Sequence, residues 1–142
     1  MKRTEHVINK TMTSEGVHKM RITRISKADK TVVTGNKIVI TGLLETGKLE
    51  SVFLNADLVG NQTESFYDSA MFALANQLEE QLGSLPISND DFETDDVELM
   101  NTLFTGKDFT CYCVHADATN GKKYANIHFE QNNAVKAMLA TI

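Results

Sequence analysis

No stretch of this 142-residue chain approaches the roughly 20 apolar residues that a membrane-spanning helix requires. The opening MKRTEHVINK has basic residues with no apolar run behind them, so it does not read as a secretory signal. A cytoplasmic protein without a membrane partner is the expectation. Cysteine is scarce: Cys111 and Cys113 are the two present. On a strand, positions i and i+2 point the same way, a poor geometry for a mutual disulfide. Reduced thiols are therefore expected, and a disulfide framework is excluded. No glycine-rich phosphate loop occurs. The run Asp90, Asp91, Glu93, Asp95, Asp96, Glu98 lacks the spacing and central glycine of a calcium loop. Two cysteines and four histidines carry no local signature of a catalytic Cys–His pair. The expectation is a protein that is not an enzyme, with no cofactor and no metal.

Lysine and arginine are absent from residues 49–106, which hold twelve Asp/Glu. Residues 1–48 hold ten Lys/Arg against four Asp/Glu, and residues 107–142 hold four against three. The net charge of −5 conceals this partition. Hydrophobic content of 42% and charged content of 23% place the chain among ordinary globular domains. At this length a single domain over 1–142 is expected.

Residues 1–16 are polar and unpatterned, an arm or an early edge strand. From Val17 to Ser26 the pattern alternates, with Met20 and Ile22 on one face and Lys19, Arg21 and Thr23 on the other. The phase slips at Arg24 and Ile25, which a β-bulge explains. Lys27 to Gly35 reads as a connection. Asn36–Leu44 and Leu49–Asn55 read as strands around a Glu45-Thr46-Gly47-Lys48 turn. The period then changes to 3.6. Phe66, Ala70, Leu74 and Leu78 form a stripe, flanked by Tyr67, Met71 and Leu82. Thr63 or Ser65 suits its N-cap, and Gly83 with Pro86 ends it. A second helix follows Thr94, with Val97, Met100 and Leu103 inward and Gly106 at its close. Lys107–Ala116 and Lys122–Glu130 read as a hairpin with an Asn120-Gly121 turn. A short terminal helix presents Val135, Met138 and Leu139.

Three strands, a helical insert and two strands follow the element order of the OB-fold. The predicted fold is mainly β: a five-stranded OB-like barrel, with an acidic helical insert at about 62–105 between strands three and four.

Cations on alternate strand positions suit a nucleic-acid groove, because each neutralised phosphate releases counterions. Lys19, Arg21 and Arg24 are so placed, with Lys37 and Lys48 on neighbouring strands; a solvated sheet face is the alternative. Phe53, Tyr112 and Tyr124 are candidate stacking rings. If Asn120 and Gly121 are the two turn residues, Cys113 opposes His128. Tyr124 then faces solvent with Asn126 and His128, Tyr112 faces inward with Val114, and Ala125, Ile127 and Phe129 face the core. Cys111, Cys113, His115 and His128 share one face in this register. Cα atoms at i and i+2 on a strand stand about 6–7 Å apart, without the turn that converges sulfurs on zinc, so no metal is expected.

Leu103 to Phe129, LFTGKDFTCYCVHADATNGKKYANIHF, resembles the closing strands of phage-encoded single-stranded DNA-binding proteins. The likeness lies in Gly106-Lys107 with Phe109, the N-G-K turn, and the K-x-Y-A-x-I-x-F pattern ending at Phe129. It implies an OB-fold, sequence-tolerant single-stranded DNA binding, and roles for Lys107, Lys122, Lys123 and Tyr124 alongside the basic first strand. It also implies phage or mobile-element replication or recombination, in the host cytoplasm, with a replication or recombination protein as partner. Bacterial members recruit partners through an acidic C-terminal tail, whereas this chain ends Ala137-Met138-Leu139-Ala140-Thr141-Ile142. An exposed first-strand edge leaves a homodimer open. The rival reading is a small phage inhibitor of a host or defence protein, acting through the acidic segment from Glu79 to Glu98.

Overall fold

The computed structural model describes residues 12–27, 37–55, 69–84 and 97–142. Strand β1 (Gly16–Lys27) alternates as its sequence requires, with His18, Met20 and Ile22 buried and Val17, Lys19 and Arg21 exposed. Thr23 and Arg24 are then both exposed and Ile25 turns inward. The ladder to β2 (Lys37–Leu44) shifts between Ile22 and Arg24, so the bulge expected from the phase slip is present. Beyond it, Ile25 pairs with Ile40 and the apolar face is restored.

β2 and β3 (Leu49–Asn55) form a hairpin closed by Leu44 N–H to the Lys48 carbonyl at 2.9 Å. Gly47 takes φ +87°, which its missing Cβ permits. Gly42 sits opposite Ile22, and a Cβ there would run into the Met20 side chain. Only glycine lets β2 lie this close to Met20.

β4 (Asp108–Asp117) and β5 (Lys123–His128) complete a five-stranded antiparallel sheet in the order β3-β2-β1-β4-β5. β1 is therefore central, flanked by β2 and β4, and not the exposed edge expected from sequence. The sheet curls until its two edge strands, β3 and β5, touch, although no ladder joins them among the described residues.

Three helices appear among the described residues: α1 (Ser69–Leu82), α2 (Val97–Phe104) and α3 (Asn133–Leu139). In chain order, α1 and α2 lie between β3 and β4. α1 buries Ala70, Leu74, Ala75 and Leu78, while Leu82 is left half-exposed. Gly83 at φ +83° follows its end. The expected caps Thr63, Ser65 and Thr94, with Phe66 and Tyr67, lie outside the described residues. α2 buries Met100, Leu103 and Phe104, and Phe104 meets Phe109 edge-on at 5.6 Å. The Asn132 side chain caps α3 by accepting from Val135 N–H at 2.9 Å.

Three carboxamides finish the sheet where strands run out. β5 pairs with β4 only from Tyr112 to Asp117. At Thr110, Gln77 of α1 supplies both missing partners, accepting from the N–H at 2.7 Å and donating to the carbonyl at 2.9 Å. One helical turn on, Gln81 donates to the Asp108 carbonyl at 2.7 Å. On β1, the pairing with β4 stops at Arg21. Further along, Asn101 of α2 accepts from Ile25 N–H at 2.8 Å and donates to its carbonyl at 2.6 Å. Buried backbone groups need such partners, and an amide side chain mimics a strand at one residue.

The β4–β5 register differs by one from the two-residue-turn reading. Ala118 N–H bonds the Lys122 carbonyl at 2.7 Å, enclosing the three-residue loop Thr119-Asn120-Gly121 with Gly121 at φ +79°. Cys113 then faces Ile127, and His128 pairs with Tyr112. A one-residue slip exchanges faces. Cys111 and Cys113 accordingly point into the core, while Tyr112 and Val114 share the opposite face with His128 and Asn126.

Candidate nucleic-acid interface

The outer face of β1, β2 and β3 is built by alternation. Every inward residue that fills the core leaves its neighbour outside. Cross-strand pairing sets Arg21 beside Leu43 and Leu43 beside Leu49. The next row runs Arg24, Thr41 and Ser51, and the next Ser26, Val39 and Phe53. Leu49 is 61% exposed and Phe53 53% exposed, values far from those of core residues. Leu43 is also exposed. Cations on β1 and exposed apolar side chains on β2 and β3 therefore share one curved surface.

The structure brings Lys19, Arg21, Arg24 and Phe53 onto that face. Arg21 is committed to Asp108, Nε to Oδ1 at 2.9 Å, and both side chains are exposed. The hydrogen bond from Arg21, with a smaller push from Lys19, holds the Asp108 carboxyl below its ordinary range. Lys19 Nζ donates to Thr110 Oγ1 at 2.7 Å. Arg24 forms no ion pair among the described residues. Water and salt screen an exposed pair such as Arg21–Asp108, so a phosphate can displace Asp108.

The other candidates sit elsewhere. Lys48 is mostly buried at the hairpin, 3.4 Å from Glu50 Oε1. Lys37 of β2 pairs with Asn55 of β3, and its side chain lies outside the described set. Lys107 is half-buried before β4, its carbonyl accepting from Ile22 N–H. Lys122, Lys123 and Tyr124 form a separate group at the β4–β5 loop. Lys123 lies 3.5 Å from Asp117. Tyr124 is half-exposed opposite Ala116, six residues along β4 from Thr110, or about 20 Å at strand rise. A cleft along the β3–β5 seam links the groups in part, since Phe53 lines it from β3 and Asn126 and His128 from β5.

Sequence reading missed Leu43 and Leu49, which face each other across the hairpin. The signal was available: both are apolar residues on the polar phase of their strands. It also turned Tyr112 inward through the one-residue slip.

Both cysteines are fully buried. Burial, reinforced by Glu45 and Glu50, pushes the Cys111 thiol up to about 12. Burial with Glu50 and Glu15 pushes Cys113 up to about 11. Among the described residues no His, Cys, Asp or Glu group gathers as a metal-holding cluster. Because the thiolate is the reactive form, neither cysteine should take up iodoacetamide at about pH 8 until the chain unfolds. Mass spectrometry of the quenched reaction checks this, and rapid labelling of folded protein would contradict the burial.

No helix among the described residues is long and apolar enough to cross a membrane. No protein-family model matches this chain, and no curated protein matches it in sequence.

Proposed function

We propose that this protein binds single-stranded DNA across the outer face of β1, β2 and β3, as an OB-like barrel with α1 and α2 inserted between β3 and β4. The observation that carries the reading is the placement on that face of Lys19, Arg21 and Arg24 of β1 beside exposed Leu43 of β2 and Leu49 and Phe53 of β3. Strand order and the approach of β3 to β5 support the barrel. Phosphates would take the guanidinium of Arg24 first, because Arg21 must exchange Asp108 for its phosphate. Phe53 offers a ring for one base, worth about 1–3 kcal/mol. Leu43 and Leu49 supply an apolar floor that does not read sequence. Lys122, Lys123 and Tyr124 form a second contact for a longer strand. The step has no chemistry, and the setting that suits it is phage or mobile-element replication or recombination.

Stacking needs bases free of a partner strand. Labelled oligo(dT) should therefore bind more tightly than a duplex of equal length at about 50 mM salt. Equal affinity for the two, or no binding at all, would refute the proposal.

A further inference from the structure

A second cleft, of about 440 Å³, opens between α1, β4 and residues 129–131, and it borders the basic face where Thr110 accepts from Lys19. Its character is opposite. Phe72 and Tyr112 give it aromatic walls, and Glu80 and Glu130 give it carboxylates. No lysine or arginine lines it. Phe72 is 49% exposed on α1, an unusual position for a phenylalanine on a helix whose core face is already filled by Leu74 and Leu78. Gln131 Nε2 donates to Tyr112 Oη at 2.8 Å and fixes that ring at the rim.

Glu130 carries the argument. Its Oε1 lies 3.5 Å from His128 Nδ1, and its Oε2 is enclosed with no hydrogen-bond partner. Burial alone would raise this carboxyl. The hydrogen bond from His128 and those from the backbone N–H groups of Glu130 and Phe129 outweigh it and hold the group below its ordinary range. The cleft thus keeps a partly buried negative charge beside its aromatic walls.

We propose that this cleft is a docking site for an arginine side chain of a partner protein. A guanidinium is planar, stacks on aromatic rings and pairs with a carboxylate, so it meets both walls at once. Lysine would satisfy only the charge. A phosphate would be repelled by Glu80 and Glu130, so nucleic acid is not the occupant. The proposal does not depend on the DNA-binding reading, because none of the residues proposed there to meet DNA lines this cleft.

The test uses Nα-acetyl-arginine amide, with its neutral citrulline counterpart as control, followed by backbone NMR shifts. The arginine compound should shift Phe72, Gln77, Tyr112 and Gln131 at about millimolar concentration. Citrulline should not. Glu130→Gln should weaken binding about tenfold, the scale of one charge-assisted hydrogen bond. Glu79→Gln, an exposed neighbour outside the cleft, should leave binding unchanged. Phe72→Ala removes a half-exposed ring and should also weaken binding, and it decides the matter alone if Glu130→Gln does not fold. Equal shifts with citrulline, shifts absent from the cleft, or unchanged affinity in the cleft variant would overturn the proposal.

Discussion

Asn101→Ala should destabilise the folded protein by about 3 kcal/mol, read as a fall in urea midpoint at constant m value. The side chain makes a two-point contact with Ile25, and Nδ2 also donates to the Val97 carbonyl at 2.8 Å. Ile25 is nearly fully buried. Truncation leaves its N–H and carbonyl without partners, at about 1–3 kcal/mol each. Alanine returns about 0.5 kcal/mol in helix propensity, too little to offset that loss. The contact also ties α2 to β1 just past the bulge, where the ladder to β4 has ended. Gln77→Ala provides the comparison. Its Thr110 partner is half-exposed, so water can replace the amide and the cost should be about 1 kcal/mol. If Asn101→Ala and Gln77→Ala cost the same, burial is not what sets the value of these contacts.

Neither amide was legible in the sequence, and the reason is physical. Periodicity reports which face a residue occupies, because one pattern is repeated along a segment. It places Met20, Ile22, Ile38 and Ile40 in the core correctly, and the bulge shows as a phase error at Arg24 and Ile25. A single asparagine meeting a strand 76 residues away leaves no periodic trace. Register is equally hidden when the turn is short. The Asn-Gly step is present in both a two-residue and a three-residue loop, and the choice between them moves Cys113 and Tyr112 to opposite faces. For the candidate site, alternation exposed the cations of β1 but not their neutralisation. Asp108 meets Arg21 through strand pairing 87 residues apart. The central place of β1 was also out of reach, since pairing order depends on how β4 returns.

Changing Arg21 and Arg24 together to alanine should weaken oligo(dT) binding about tenfold at about 50 mM salt. The slope of log K against log salt should flatten by about 1.4, which is about 0.7 for each of two lost phosphate contacts. The fold should survive. Arg21 and Asp108 are 61% and 56% exposed, and Arg24 is exposed on the outer face. Neither side chain fills the core. Asp108→Asn should act in the opposite direction. It frees Arg21 from its partner and removes a negative charge from the path of the phosphates, so binding should tighten. Opposite signs from two substitutions at one contact are hard to produce by a general loss of structure. Neutralising Asp90, Asp91 and Glu93 should leave DNA binding unchanged or strengthen it. A protein that acts through its acidic segment would respond the other way: the acidic changes would abolish its partnership and the arginine changes would be silent. Oligonucleotide titrations at several salt concentrations separate the two, and an unchanged slope in the folded arginine variant would remove the basic face from the mechanism.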